Sequence, residues 1–119
     1  MTEESHFRER IVEVLGLFSD PASQIEYQSN APGVAVPGEL FNQWDDWYRP
    51  TDPGFLKEFD QSEVAALAQF GRLVDEIVAA TPQNLPPLKA FMQTEPWQQL
   101  RDGAKGMLHA LNTPNIPTP

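Results

Sequence analysis

The stretch Asp60-Gln-Ser-Glu-Val-Ala-Ala-Leu-Ala-Gln-Phe-Gly-Arg-Leu-Val-Asp-Glu-Ile-Val-Ala-Ala80 contains no proline. Its apolar residues Val64, Leu67, Phe70, Val74, Ile77 and Val78, with Gly71, recur three, four and seven apart, which is helical spacing. Asp60 and Glu63 stand in a capping-box relation, the aspartate in place of the usual serine or threonine. Thr81-Pro82 stops the helix. The apolar face is wider than a surface helix needs, so this segment is predicted to be the central helix of the fold.

Working outward, the flanking segments repeat the pattern. Toward the N-terminus, Thr51 to Phe59 is a turn-rich connector presenting Phe55, Leu56 and Phe59. Before it, a helix is predicted from about Pro37 to Tyr48. Leu40, Phe41, Trp44, Trp47 and Tyr48 lie on one side of it, Glu39, Asn42, Asp45 and Asp46 on the other, and Arg49-Pro50 ends it. Residues 30–38 read as a loop holding a short extended piece. Asp20-Pro21 separates two further helices. The first runs from an N-cap at Thr2 to Ser19, with Glu3 and Glu4 in its first turn and Phe7, Ile11, Val14, Leu15 and Phe18 inward. The second is short, with Pro21 at its first position and Ile25 as its buried anchor. Toward the C-terminus, Leu85-Pro86-Pro87 opens a short helix with Leu88, Phe91 and Met92 inward. Thr94 caps a last helix whose stripe is Trp97, Leu100, Ala104, Met107, Leu108 and Leu111. Strand signals are nearly absent. The expectation is an all-α domain over residues 1–111, an irregular bundle of five or six helices. A disordered tail is expected over 112–119, where three of eight residues are proline.

Composition narrows the function classes. A chain of 119 residues, 40% apolar and 21% charged, is long enough to bury a core and is unlike a fully disordered protein. No apolar run reaches the ~18 residues that would span a bilayer. Met1 to Arg10 is polar and acidic, without the apolar core of a secretory signal. Cysteine is absent, which removes disulfides, thiolate metal sites and thiol nucleophiles together and fits a cytoplasmic address.

Charge is the most informative property. The chain carries a net −9, and residues 1–60 hold twelve of the seventeen acids but four of the eight bases. Such a surface repels phosphate backbones and anionic lipid and favours a basic partner. From Asp20 to Asp60, eight acids face only Arg49 and Lys57. The bland reading of this excess is solubility.

Templates for chemistry mostly fail. There is no nucleophile elbow, P-loop, dinucleotide fingerprint or zincin motif. Glu3 and His6 have the spacing of half a di-iron motif, but the second half and two further glutamates are missing; His6 reads as a solvated residue. Gly103-Ala-Lys-Gly106 matches a GxxG nucleic-acid clamp, yet it lies in a helical stripe of an acidic chain, where two glycines would let a neighbouring helix approach. Asp45 and Asp46 are adjacent, about 100° apart on a helix, and so are poorly placed to chelate one ion. No catalytic residue, metal ligand or cofactor is expected, and the chain is not read as an enzyme. Phe41 and Trp44 read as core. Trp47 and Tyr48 admit two readings, as core residues or as interface anchors with an apolar body and a wet tip.

Gln24 to Tyr48, with an acidic Tyr-containing helix, a Val36-Pro37 start to the next helix and Leu40-Phe-x-x-Trp44-Asp-Asp-Trp-Tyr48, resembles segments of small acidic bacterial immunity proteins. These are the antidotes of polymorphic toxins, including those of contact-dependent growth inhibition systems. The resemblance implies a cytoplasmic inhibitor, monomeric when free, that binds a cognate toxin domain and touches neither nucleic acid nor membrane. A basic, nuclease-like toxin suits the charge. The expected interface has Trp47 and Tyr48 as anchors and Glu26, Glu39, Asp45, Asp46, Asp52 and Glu58 as charge complements. A helical adaptor for some other basic or amphipathic protein is the alternative.

Overall fold

The computed structural model describes residues 7–80 and 88–112. Seven helices run in chain order: α1 (Phe7–Ser19), α2 (Pro21–Asn30), α3 (Val36–Trp47), α4 (Pro53–Leu56), α5 (Gln61–Ala80), α6 (Leu88–Met92) and α7 (Glu95–Asn112). Among the described residues there is no strand, so the fold is the all-α bundle expected. The helix beyond the expected five or six is α4, a single turn inside the connector, capped by the Asp52 carboxylate accepting from the Gly54 N–H at 2.8 Å. The expected Thr2 cap, Glu3, Glu4, His6, the Leu85-Pro86-Pro87 opening and the 113–119 part of the expected tail lie outside the described residues.

Each helix follows from local chemistry. The Asp20 carboxylate accepts from the Ala22 N–H at 3.1 Å and the Ser23 hydroxyl at 2.8 Å, with Pro21 in the first turn where its missing N–H costs nothing. The Ser23 hydrogen bond is the largest cause holding the Asp20 carboxyl below its ordinary range. Replacing Asp20 with alanine is expected to lower the urea midpoint at unchanged m-value, through loss of the cap. At α5 the capping box forms as the sequence predicts: the Glu63 N–H donates to Asp60 Oδ1 at 2.8 Å, and the Asp60 N–H donates to Glu63 Oε1 at 2.9 Å. Thr94 Oγ1 accepts from the Trp97 N–H at the start of α7.

Packing centres on α1, which lies most extensively against α7 and also against α3; α5 covers α7. Ile11, Val14, Leu15 and Phe18 supply the buried face of α1. Every aromatic side chain except Tyr27 belongs to one continuous network of ring contacts, running from Phe91 and Trp97 through Phe18, Phe70, Trp44 and Tyr48 to Phe55 and Phe59. Edge-on or offset pairs of this kind contribute about 0.5–1.5 kcal/mol each beyond the area they bury. Two glycines permit the close approaches. A Cβ on Gly71 would lie 3.0 Å from the Tyr48 ring, and one on Gly103 would lie 3.3 Å from the Phe70 ring. Gly106 faces open space, so only the first of the two glycines in the GxxG match serves a neighbouring helix.

Several sequence expectations are corrected. Ile25 is not the anchor of α2: it is 46% exposed, and Gln24 is buried in its place at 1%. The cause is the break at Asp20-Pro21. It leaves the last carbonyls of α1 without helical partners, and Gln24 Nε2 donates to Leu17 O at 2.6 Å and Phe18 O at 3.0 Å. Val78 leaves the apolar face of α5 and is 45% exposed. Val36, expected in an extended piece, opens α3 and is buried. Phe41 is half-buried on the flank of the core rather than inside it.

Candidate functional site

The eight predicted interface residues fall into three groups: five carboxylates, the aromatic pair Trp47 and Tyr48, and Glu58. Asp45 and Asp46 project from the exposed side of α3, in its last turn. Asp52 is exposed where the chain turns into α4, its orientation set by the cap to Gly54. Glu26 is exposed on α2, and Glu39 is half-buried in the first turn of α3. None of these five carboxylates forms an ion pair with a described residue; the pairs among the described residues include Arg8–Glu63, Arg10–Glu13 and Arg101–Asp102. The Arg49 guanidinium, the nearest base in sequence, donates to the Asp46 backbone oxygen at 3.0 Å. Among the described residues, no group of three or more histidines or acids stands together as a cation site.

The two members of the aromatic pair turn in different directions. Trp47 meets Phe7 edge-on at 6.2 Å, and the Arg10 guanidinium covers its ring at 5.7 Å. Tyr48 turns the other way. It stacks on Trp44 with ring centroids 4.7 Å apart and sits against Gly71 of α5. Burial is the largest cause raising its phenol pKa, with Asp75 adding to the rise and Arg72 opposing it. Both rings are half-buried, with one side packed against the core. Glu58 is also engaged internally. Its carboxylate accepts from the Arg8 backbone N–H at 2.8 Å, and its carbonyl accepts from the Arg8 guanidinium at 2.9 Å.

One feature was not legible as a site. Between α2, the α2–α3 loop and α6 lies a groove of about 740 Å³, walled by Ile25, Gln28, Pro32, Val34, Pro37 and Leu88, with Lys89 also at its wall. Its volume is in the range of clefts that receive small ligands or partner side chains. Gln28 fixes the loop side: its Nε2 donates to Ala31 O at 3.2 Å and Val34 O at 2.6 Å. The signal in the sequence is Ile25, the one aliphatic residue larger than alanine in α2.

No family model matches this chain, nor does any curated protein or solved structure.

Proposed function

We propose that this chain is a stoichiometric protein inhibitor of the immunity type, which neutralises a basic toxin domain through the acidic face around α3. The observation that carries the reading is that Asp45, Asp46 and Asp52 are exposed, without ionic partners among the described residues, on a corner whose backbone is held by Trp44, Trp47 and Tyr48. A fixed array of uncompensated carboxylates is suited to a basic cleft built for phosphates. It needs little ordering on binding, and its field steers association at up to ~10⁸ M⁻¹s⁻¹ at low salt. The resemblance of Gln24 to Tyr48 to immunity proteins points the same way.

The test is to express the reading frame immediately upstream of this one, with and without this chain, and to count surviving cells. Killing that the chain reverses supports the reading; a harmless neighbour, or equal killing in its presence, overturns it. With a toxin in hand, Asp45→Lys combined with Asp46→Lys is expected to slow association about tenfold at low salt and to flatten its salt dependence. Unchanged association kinetics would place the interface elsewhere.

A further inference from the structure

Resting on that reading, we propose that the face of the Trp47 indole now covered by Arg10 is the seat of an arginine side chain of the partner. The partner's guanidinium takes the place of this protein's own. The structure already holds a guanidinium there: Arg10, from α1, lies 5.7 Å from the ring centroid. An aromatic face attracts a cation through its quadrupole, and a planar guanidinium also stacks on it, which a compact ammonium does not. Phe7 meets the same indole edge-on at 6.2 Å, so the ring is held in place independently of Arg10. Tryptophan and arginine are also among the residue types that carry most of the energy of protein interfaces.

What ties Arg10 to the ring is weak. Its other partner among the described residues is Glu13, three positions on in the same helix, at 3.0 Å. The two side chains are 46% and 56% exposed, and an ion pair so open to solvent holds little. Arg10 can therefore turn into water and leave no cavity behind. A partner's arginine, by contrast, would be enclosed between two proteins, where a cation over a ring is held more strongly than at an exposed site. The charges of the corner favour the exchange. Trp47 directly follows Asp45 and Asp46. A Cβ on Gly54 would lie 3.2 Å from Asp52 Oδ1 and 3.6 Å from the Phe7 ring, so the Asp52 carboxylate borders the side chain that supports Trp47. The other base in this stretch, Arg49, has its Nε turned to the Asp46 backbone oxygen at 3.0 Å.

Two capped five-residue peptides of equal charge, one of arginine and one of lysine, test this against the whole protein. Binding is followed through the indole N–H signals of its three tryptophans. Trp44 and Trp97, 2% and 3% exposed, serve as internal references, and Trp47→Phe identifies the remaining signal. The arginine peptide is expected to shift the Trp47 signal with an affinity about threefold above that of the lysine peptide. Arg10→Ala, at an exposed position and with an unchanged melting temperature, should vacate the ring and widen that preference about threefold further. Arg49→Ala removes the same charge without uncovering Trp47, so it should strengthen both peptides alike and leave the preference as it was. The proposal is overturned if the Trp47 signal does not move, if the two peptides bind equally, or if Arg10→Ala leaves the preference unchanged. In the co-expression assay, full rescue by Trp47→Leu beside lost rescue by the Asp45, Asp46 double variant would reject the arginine seat while keeping the inhibitor reading. A harmless neighbour would reject that reading whatever the peptides do.

Discussion

Replacing Arg8 with methionine lowers the unfolding free energy by about 3 kcal/mol, the expected cost of leaving a buried carboxylate without its cation. Arg8 joins four parts of the fold. From its place on α1, its guanidinium donates to both carboxylate oxygens of Glu63, each at 2.9 Å, to Glu58 O on the α4–α5 connector at 2.9 Å and to Leu111 O at the end of α7 at 2.7 Å. The same group lies 5.4 Å from the Phe59 ring centroid. Glu63 is 5% exposed, so its charge cannot fall back on water. The Leu111 oxygen is one of the last carbonyls of α7, which lack intrahelical donors and attract a cation. With an m-value of ~1.5 kcal/mol/M, the urea midpoint is expected to fall by about 2 M. Adding Glu63→Gln to Arg8→Met should recover part of the loss, because a neutral amide can still close the capping box. A loss below about 1 kcal/mol for Arg8→Met would mean that solvent screens the cluster.

The pH dependence of this cluster has a definite sign. The Arg8 hydrogen bonds are the largest cause holding the Glu63 carboxyl below its ordinary 4.5. A carboxylate whose pKa is depressed on folding stabilises the native state fully above its unfolded value. That stability is lost as pH falls through the native one. Urea midpoints between pH 6 and pH 3 should therefore fall more steeply in the wild type than in Arg8→Met. Part of the slope persists in the variant, because Asp20 and Asp60 are also held low by their hydrogen bonds.

The second large effect inverts what hydrophobicity would suggest. Gln24→Leu is expected to destabilise by about 3 kcal/mol, whereas Ile25→Ser stays within about 0.5 kcal/mol of the wild type. Gln24 Oε1 accepts from the Trp97 indole N–H at 3.0 Å while its amide nitrogen satisfies Leu17 O and Phe18 O. No buried side-chain nitrogen or oxygen among the described residues lacks a partner, so a leucine here would strand a donor and acceptors that are now satisfied. Calorimetry should show a fall in melting temperature of about 12 °C for Gln24→Leu. A near-neutral result would mean that water replaces the amide.

That pair of residues shows where reading from sequence stops. The long helices α1, α5 and α7, the capping box at Asp60 and the stop at Asp20-Pro21 follow from periodicity and caps, which act within a few residues and are written locally. The burial of Gln24 follows from carbonyls that a neighbouring helix leaves open, and Trp97, its other partner, is 73 residues away. No local pattern encodes that. The acids at the candidate site were legible as a charge excess, and the exposure of Asp45 and Asp46 agrees with the polar side of α3. The internal neighbours of Trp47 and Tyr48 were not. At helical spacing an aromatic ring looks the same whether it faces a partner or a neighbouring helix, and the contacts with Phe7 and Gly71 come from segments far away in the chain. The groove was hidden because a loop and two short helices far apart in the chain assemble it.

The pairing of α1 with α7 has a consequence for how the chain comes off the ribosome. Arg8 and Leu111, which it joins, are separated by 103 positions. At the usual ~5–20 residues per second, several seconds or more pass between the emergence of the two helices. During that interval the apolar face of α1 can be shielded only in part, by α2 and α3. Closing so long a segment is entropically costly compared with the short-range closures that make most helical bundles quick to fold. Nascent chains of this protein therefore present Ile11, Val14 and Leu15 to their surroundings for longer than a bundle of neighbouring hairpins would.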